Sequence, residues 1–289
     1  MIASEELFWS KPGRFPYPDW ETIDLSIEGS DLNAAWTDTA RRWLGQVATS
    51  LGPDYQIHSS ENFFVLTMAP PARMRGILLF LEECHDRILE SLPFVDRGEL
   101  LGKFVVIIFA QQEDFYEYLD AYQQTDEGDY GAVGGVYLNH GYGHFAMPSE
   151  RLDLYRAVMS HELCHAFLAS FQLPTWLDEA ITQEIEHKIA GGNPYLLDRQ
   201  IVREHRDYWN GERIDAFWAG ESFWFPDEGQ RLSYHLARYL FNSLVPYSNP
   251  ETMTRFIRSV SREDAGFSAA LDVLGVDLEE VLEGLLDEE

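Results

Sequence analysis

The sharpest chemistry in the chain sits in five consecutive residues, His161-Glu162-Leu163-Cys164-His165. On a helix, imidazoles at i and i+4 stand one turn apart on the same face, the spacing that lets two ring nitrogens reach a single Zn²⁺. Glu162, beside the first of them, then turns towards the open side of the metal. In this H-E-x-x-H pattern the glutamate takes a proton from metal-bound water. Cys164 points about 100° away from His165 on such a helix and reads as a small buried apolar residue rather than a ligand. The pentapeptide alone also admits a plainer reading, two core histidines flanking an ordinary glutamate, so the neighbouring residues have to decide.

On both sides those neighbours keep a helical rhythm. Glu150 to Ser160 and Ala166 to Phe171 contain neither Gly nor Pro, and Leu154, Val158, His161, His165 and Leu168 fall on one stripe. Leu173-Pro174-Thr175 ends this helix. Trp176 to Ala190 reads as a second one, with Thr175 as its N-cap, and it places Glu179 fourteen positions past His165 (179 − 165). A hydrolytic zinc site needs three protein ligands and one position left for solvent, and His₂Glu is one of the known sets. Glu179 completes it, with the adjacent Asp178 as the alternative carboxylate. The cofactor implied is one Zn²⁺.

The succession His161-Glu-x-x-His165 and Pro174-x-Trp176-Leu177-x-Glu179-Ala180 resembles the gluzincin zinc metallopeptidases; its short interval is similar to their compact peptidase-MA-like, minigluzincin-type branch. Position by position, the resemblance implies His161, His165 and Glu179 as metal ligands and Glu162 as the catalytic base, and it favours Glu179 over Asp178. It also implies a zincin-like α+β fold: an N-terminal mixed β-sheet with helices, then a mainly helical C-terminal part, with the active site between them. Two positions depart from the family. Ala180 stands where Gly is usual, a small-for-small change. Gln183 stands where relatives often carry a carboxylate that orients a ligand histidine, a role open also to Glu184 or Glu186. The metzincin continuation needs a Gly and a third His where this chain has Leu168 and Phe171, and is excluded. By the same resemblance the strand before the metal helix borders the cleft, so His144-Phe145-Ala146 is expected to present its edge to an extended peptide. Tyr234, near the start of a later helix, is expected to face the cleft and stabilise the oxyanion, with His235 as the substitute donor. A tyrosine filling the core is the competing reading of Tyr234.

The rest of the chain supplies elements to hold these groups. Residues 1–29 are rich in Trp, Pro and Phe without periodicity and read as an irregular arm. Residues 30–289 read as one catalytic domain, a sheet-containing part over 30–171 and a helical part over 172–289. Ser30-Asp31 caps a helix that ends near Gly52-Pro53. Tyr55, Ile57 and Phe63 to Met68 are strand material, closed by Pro70-Pro71. Ala72 to Leu92 makes an amphipathic helix, Lys103 to Phe109 a central strand, and Glu113 to Tyr122 a helix with Phe115, Tyr118 and Leu119 inward. Thr125 to Gly143 is rich in glycine but lacks the Lys-Ser/Thr ending of a phosphate loop. It reads as turns and strands, with Val133 to Leu138 and His144 to Met147 as a hairpin-like return. His140 and His144 are four apart without helical geometry, which argues against ligation, while their place near the expected cleft suits a substrate contact. His187 reads as exposed or as supporting a ligand. Past Gly191 to Pro194 the pattern is helical over Gln230 to Phe241, Glu251 to Val260, Phe267 to Leu274 and Leu278 to Leu286, with an aromatic cluster from Tyr208 to Phe225 that packs or walls a pocket.

At 289 residues the chain can bury a full core. Its longest strictly apolar run, Phe104 to Ala110, is far too short for a bilayer. Met1 to Pro12 lacks the basic start and apolar centre of a secretory signal, and two cysteines, Cys84 and Cys164, suit a reducing compartment. These features point to a cytoplasmic protein. Forty-nine acidic against 21 basic residues leave a net charge of −28. Such a chain repels nucleic acid and anionic membranes and steers cationic substrates towards itself, although solubility accounts for much of the excess. The expectation is a zinc metallopeptidase hydrolysing peptides or proteins, basic ones favoured. A non-catalytic or partner-activated zincin-fold interaction protein, and a zinc hydrolase of a non-peptide amide or ester, are the alternatives.

Overall fold

Strands covered on both faces cannot alternate polar and apolar residues, and three runs here do not: Phe63-Phe-Val-Leu-Thr67, Phe104-Val-Val-Ile-Ile-Phe109 and His144-Phe-Ala-Met-Pro148. In the computed structural model, which describes residues 9–11, 14–15, 17–27, 31–95, 101–122, 134–139, 141–149, 155–191 and 195–287, all three lie inside one sheet. The described residues are mixed α/β and mostly helical, with twelve helices and a five-stranded mixed sheet. They divide into two units, Met1–Leu89 with Asp96–Ala166, and Glu90–Val95 with Phe167–Glu289. No described helix is long and apolar enough to cross a membrane.

The first unit carries β1 (Trp9–Lys11), β2 (Tyr17–Pro18), α1 (Trp20–Ser26), α2 (Leu32–Leu51), β3 (Gln56–Ser59), β4 (Phe63–Thr67), α3 (Pro71–Ser91), β5 (Phe104–Phe109), α4 (Gln112–Tyr122), β6 (Val136–Leu138), β7 (His144–Pro148) and α5 (Tyr155–Leu168), the last two residues of α3 and of α5 belonging to the second. Part of the segment read as an irregular arm is therefore regular: β1 and β2 pair antiparallel, and Asp19 caps α1 by accepting from Thr22 N at 3.1 Å. Pro71, expected to close a strand, opens α3 instead, where its missing N–H is no loss. The sheet order is β3-β4-β5-β7-β6. β4, β5 and β7 run parallel, and β3 and β6 are antiparallel at the two margins.

Side chains alternate across this sheet. Phe64, Leu66, Val105, Ile107, Phe109 and Ala146 join Trp43, Leu44 and Val47 of α2 and Phe115, Tyr118 and Tyr122 of α4 in one core cluster. Phe145, on the opposite parity, lines a crevice with Val106, Met159, Glu162 and Leu163. Close approach explains one glycine of the glycine-rich segment: Gly141 has φ +72°, and a Cβ there would collide with the Trp20 ring.

The second unit carries α6 (Thr175–Ala190), α7 (Arg199–Tyr208), α8 (Gly211–Trp218), α9 (Glu228–Leu244), α10 (Pro250–Ser259), α11 (Phe267–Ala269), which continues as a π-helical turn over Ala270–Leu274, and α12 (Leu278–Leu286). Trp176, Leu177, Phe217, Phe223, Leu232, Leu236, Leu240 and Phe256 are buried in it. Much of the aromatic segment from Tyr208 to Phe225 is thus packing, Trp224 being the exposed exception.

Candidate metal centre

Packing holds α5 in place. Met159, Leu163, Cys164, Phe167 and Leu168 are buried on it, and neither Cys164 nor Cys84 forms a disulfide. The helix gives way to a 3₁₀ turn at Ala169–Phe171, and Gln172 closes it in the left-handed conformation (φ +50°). For a non-glycine residue that costs roughly 1–2 kcal/mol, so the surroundings must hold it. Arg262 Nε and Nη2 donate to the Leu173 carbonyl at 3.1 and 3.0 Å, and the buried Trp176 donates through Nε1 to the Ala265 carbonyl at 2.8 Å. The start of α6 is thereby clamped three residues before Glu179.

The cap of α6 differs from the sequence expectation. Pro174 is the N-cap: it is extended (ψ 146°), and its carbonyl accepts from Leu177 N at 3.0 Å and Asp178 N at 3.1 Å. Thr175 is the first helical residue and its side chain makes no capping bond.

His161 and His165, both half-buried, turn the same nitrogen towards each other, Nε2 to Nε2 at 3.1 Å with ring planes 75° apart. Two imidazoles bonded to one tetrahedral Zn²⁺ at 2.0–2.1 Å stand about 3.3 Å apart at those atoms, so the pair needs almost no movement to share an ion. Among the described residues, the His/Cys/Asp/Glu group that could hold a metal is His161, His165 and Glu179, whose ligand atoms lie within 4.8 Å of one another. Asp178 is outside the group. Two neutral imidazoles and one carboxylate are a donor set suited to zinc, and the residues fit the ion. Glu162, half-buried, follows His161 on α5 and lines the crevice with Val106, Tyr137, Phe145 and Met159.

Within the second unit Tyr234 of α9 donates through its hydroxyl to Glu179 Oε1 at 3.5 Å, and its ring meets Phe223 edge to face. Gln183 Nε2 donates to the Tyr234 carbonyl at 3.1 Å and to the Glu179 carbonyl at 3.3 Å. Gln183 therefore fixes the backbone carrying the carboxylate and the phenol, a role that the residue type alone does not announce. Glu184 is engaged by Arg238 Nη2 at 2.8 Å and Nε at 2.9 Å, with Asn242 at 3.3 Å, and serves α9 rather than a histidine. Glu186 and His187 lie further along α6, both half-buried.

Three expectations are corrected here. β7 is not an edge: β5 pairs with it on one side and β6 on the other, Leu138 opposite His144 and Val136 opposite Ala146. The backbone of His144–Ala146 is thus committed to the sheet, and the margin belongs to β6. His144 offers no substrate contact either, because parity sends its ring into the α2–α4 core. There Tyr118 donates to Nε2 at 2.7 Å and Nδ1 donates to the Tyr142 carbonyl at 2.8 Å. Burial pushes this ring down to about 4. His235 does not stand in for Tyr234, since both its nitrogens are engaged, Nδ1 by His205 and Nε2 by the Leu196 carbonyl. His140 lies outside the described residues.

No family model matches the chain, and no curated protein sequence or solved structure matches it.

Proposed function

We propose that the chain is a zinc-dependent peptidase of the gluzincin kind, with His161, His165 and Glu179 holding the ion. The observation that carries this is the pair of Nε2 atoms 3.1 Å apart with a Glu179 oxygen within 4.8 Å, on residues whose order along the chain resembles that family's two signatures. Bound there, zinc would acidify water and polarise a carbonyl.

The chain's own residues do the rest. Glu162, one position from a ligand on the same helix, accepts the proton of the attacking water and returns it to the departing amine, so the carboxyl ends the cycle ionised as it began. The Tyr234 hydroxyl, which reaches Glu179 Oε1, supplies a donor for the carbonyl oxygen as negative charge builds on it. Apolar walls around Glu162, from Val106, Phe145 and Met159, keep water scarce beside the carboxyl and strengthen its proton transfer. The net charge of −28 favours basic peptides by long-range attraction, an effect that salt weakens.

The test is Glu162→Gln with metal analysis and a peptide-library digest on wild type and variant alike. Zinc should be retained in both, and cleavage should fall by roughly 10²–10⁴-fold in the variant, the usual contribution of a general base. Undiminished cleavage rejects the role of Glu162; wild-type protein that holds zinc but cleaves nothing rejects the peptidase.

A further inference from the structure

The second unit holds another histidine pair, and its hydrogen bonds point one way. His205 of α7 is fully buried and His235 of α9 half-buried. Trp209 Nε1, which can only donate, donates to His205 Nδ1 at 2.8 Å. In the neutral ring the proton therefore sits on Nε2, and His205 Nε2 donates to His235 Nδ1 at 2.8 Å. That in turn places the second ring's proton on its Nε2, which donates to the Leu196 carbonyl at 3.0 Å. Every nitrogen in the series Trp209, His205, His235, Leu196 has one assigned role, and the tautomers follow from geometry.

A further proton has nowhere to go. On His205 Nδ1 it would face the Trp209 N–H; on His235 Nδ1 it would face the His205 N–H. The surroundings divide. Arg231 and Arg238 of α9 oppose protonation, while Glu204 of α7 and Asp198, the N-cap of α7, favour it. Glu204 is already paired with Arg231 at 2.6 Å. Tyr195 stacks on the His235 ring at 4.8 Å, and α8 contributes the apolar Phe217 against Trp209. Burial is the largest influence on both rings and holds His205 down to about 3 and His235 below its ordinary value.

We propose that His205 and His235 form an acid-sensitive latch, closing α7 and residues 195–197 onto α9 while both rings are neutral and releasing them when either ring takes a proton. The direction is fixed by linkage. In the closed form His205 binds a proton only well below the ordinary histidine value of about 6.5 and His235 somewhere below it, whereas the open form binds both there. Closure is therefore complete above that value and weakens as pH falls beneath it, with opening favoured up to about tenfold per pH unit for each proton taken up. The latch stands whether or not the α5 pair binds zinc.

Hydrogen exchange on the intact chain tests it. Between about pH 7.5 and about pH 5, protection of the α7 amides should fall by about thirtyfold after correction for the intrinsic rate, the result of one proton over 1.5 units below 6.5, while α10 in the same unit loses far less. A His205→Gln/His235→Asn double variant keeps a donor and an acceptor in place of the two rings without their titration, and its α7 should lose little of this protection. Equal losses in α7 and α10, or an undiminished loss in the variant, overturn the latch. If the variant does not fold, ring ¹⁵N spectra of the wild type decide. Both rings should carry the proton on Nε2 near pH 7.5, and a proton on Nδ1 of either ring overturns the latch.

Discussion

Two histidine pairs in this chain have nearly the same nitrogen–nitrogen distance and opposite chemistry. His161 and His165 sit four apart on one helix and meet Nε2 to Nε2 at 3.1 Å; His205 and His235 come from two helices and meet Nε2 to Nδ1 at 2.8 Å. In the second pair, head to tail, an indole N–H enters at one end and a carbonyl closes the other, so the protein itself consumes the polarity of both rings. In the first pair the same atom of each ring faces a common point and the third group to arrive is a carboxylate. Identical nitrogens aimed at one place suit a shared cation. The distance between two imidazoles thus says little; which nitrogens meet, and what arrives third, separates the two pairs.

The comparison breaks or sharpens through four measurements. The largest effect is expected for His205→Leu, which strips the Trp209 N–H and His235 Nδ1 of their partners. At about 1–3 kcal/mol for each buried orphan, the loss of stability should reach roughly 2–6 kcal/mol in urea unfolding, with zinc affinity unchanged. His165→Ala should do the reverse, weakening zinc by on the order of 10²–10³-fold in chelator competition. That figure is a quarter share of the 10–16 kcal/mol typical of four-ligand sites. Equal loss of zinc affinity in the two variants would erase the distinction drawn here.

His144 supplies a third environment, a lone ring in the sheet core. Its folded value of about 4 lies below the ordinary 6.5, so the unfolded chain takes the proton first and stability declines as pH falls from about 6.5 towards 4. The contribution is about 3 kcal/mol across that window, read as the difference in pH slope between wild type and His144→Gln. The smallest effect belongs to Arg231→Ala. Its ion pair with Glu204 is half exposed on the arginine side (54%), so water and salt screen it and stability should barely change. Arg231 also opposes protonation of His205 and His235, so its removal should shift the histidine ¹⁵N titrations upward; a downward shift would contradict the assigned surroundings.

What could be read from the residues was what is local. Helical spacing puts His161 and His165 on one face, and Trp176 with Leu177 marks a buried helix start that carries Glu179, all within nineteen positions (161 to 179). β5 was legible because six apolar residues in a row belong to a strand covered on both faces. Pairing across distance was not. β6 is three residues long, too short for its pattern to show that it would cover β7, and the side of the sheet His144 enters depends on a parity set by that pairing. His205 and His235 are thirty positions apart (235 − 205), on helices whose contact no spacing predicts. At α6 the residue type favoured Thr175, while the backbone gave the cap to the Pro174 carbonyl.

The aspartates at the helix starts set a limit on redesign. Asp19, Asp31, Asp198, Asp227 and Asp277 each accept backbone N–H groups at the first turns of α1, α2, α7, α9 and α12, where the aligned peptide dipoles present partial positive charge. Anyone recolouring this acidic surface with lysines, to ease crystallisation or capture on an anionic resin, has to leave these five in place. Exchanging one of these five loosens the first turn of a helix, a cost separate from the change in surface charge.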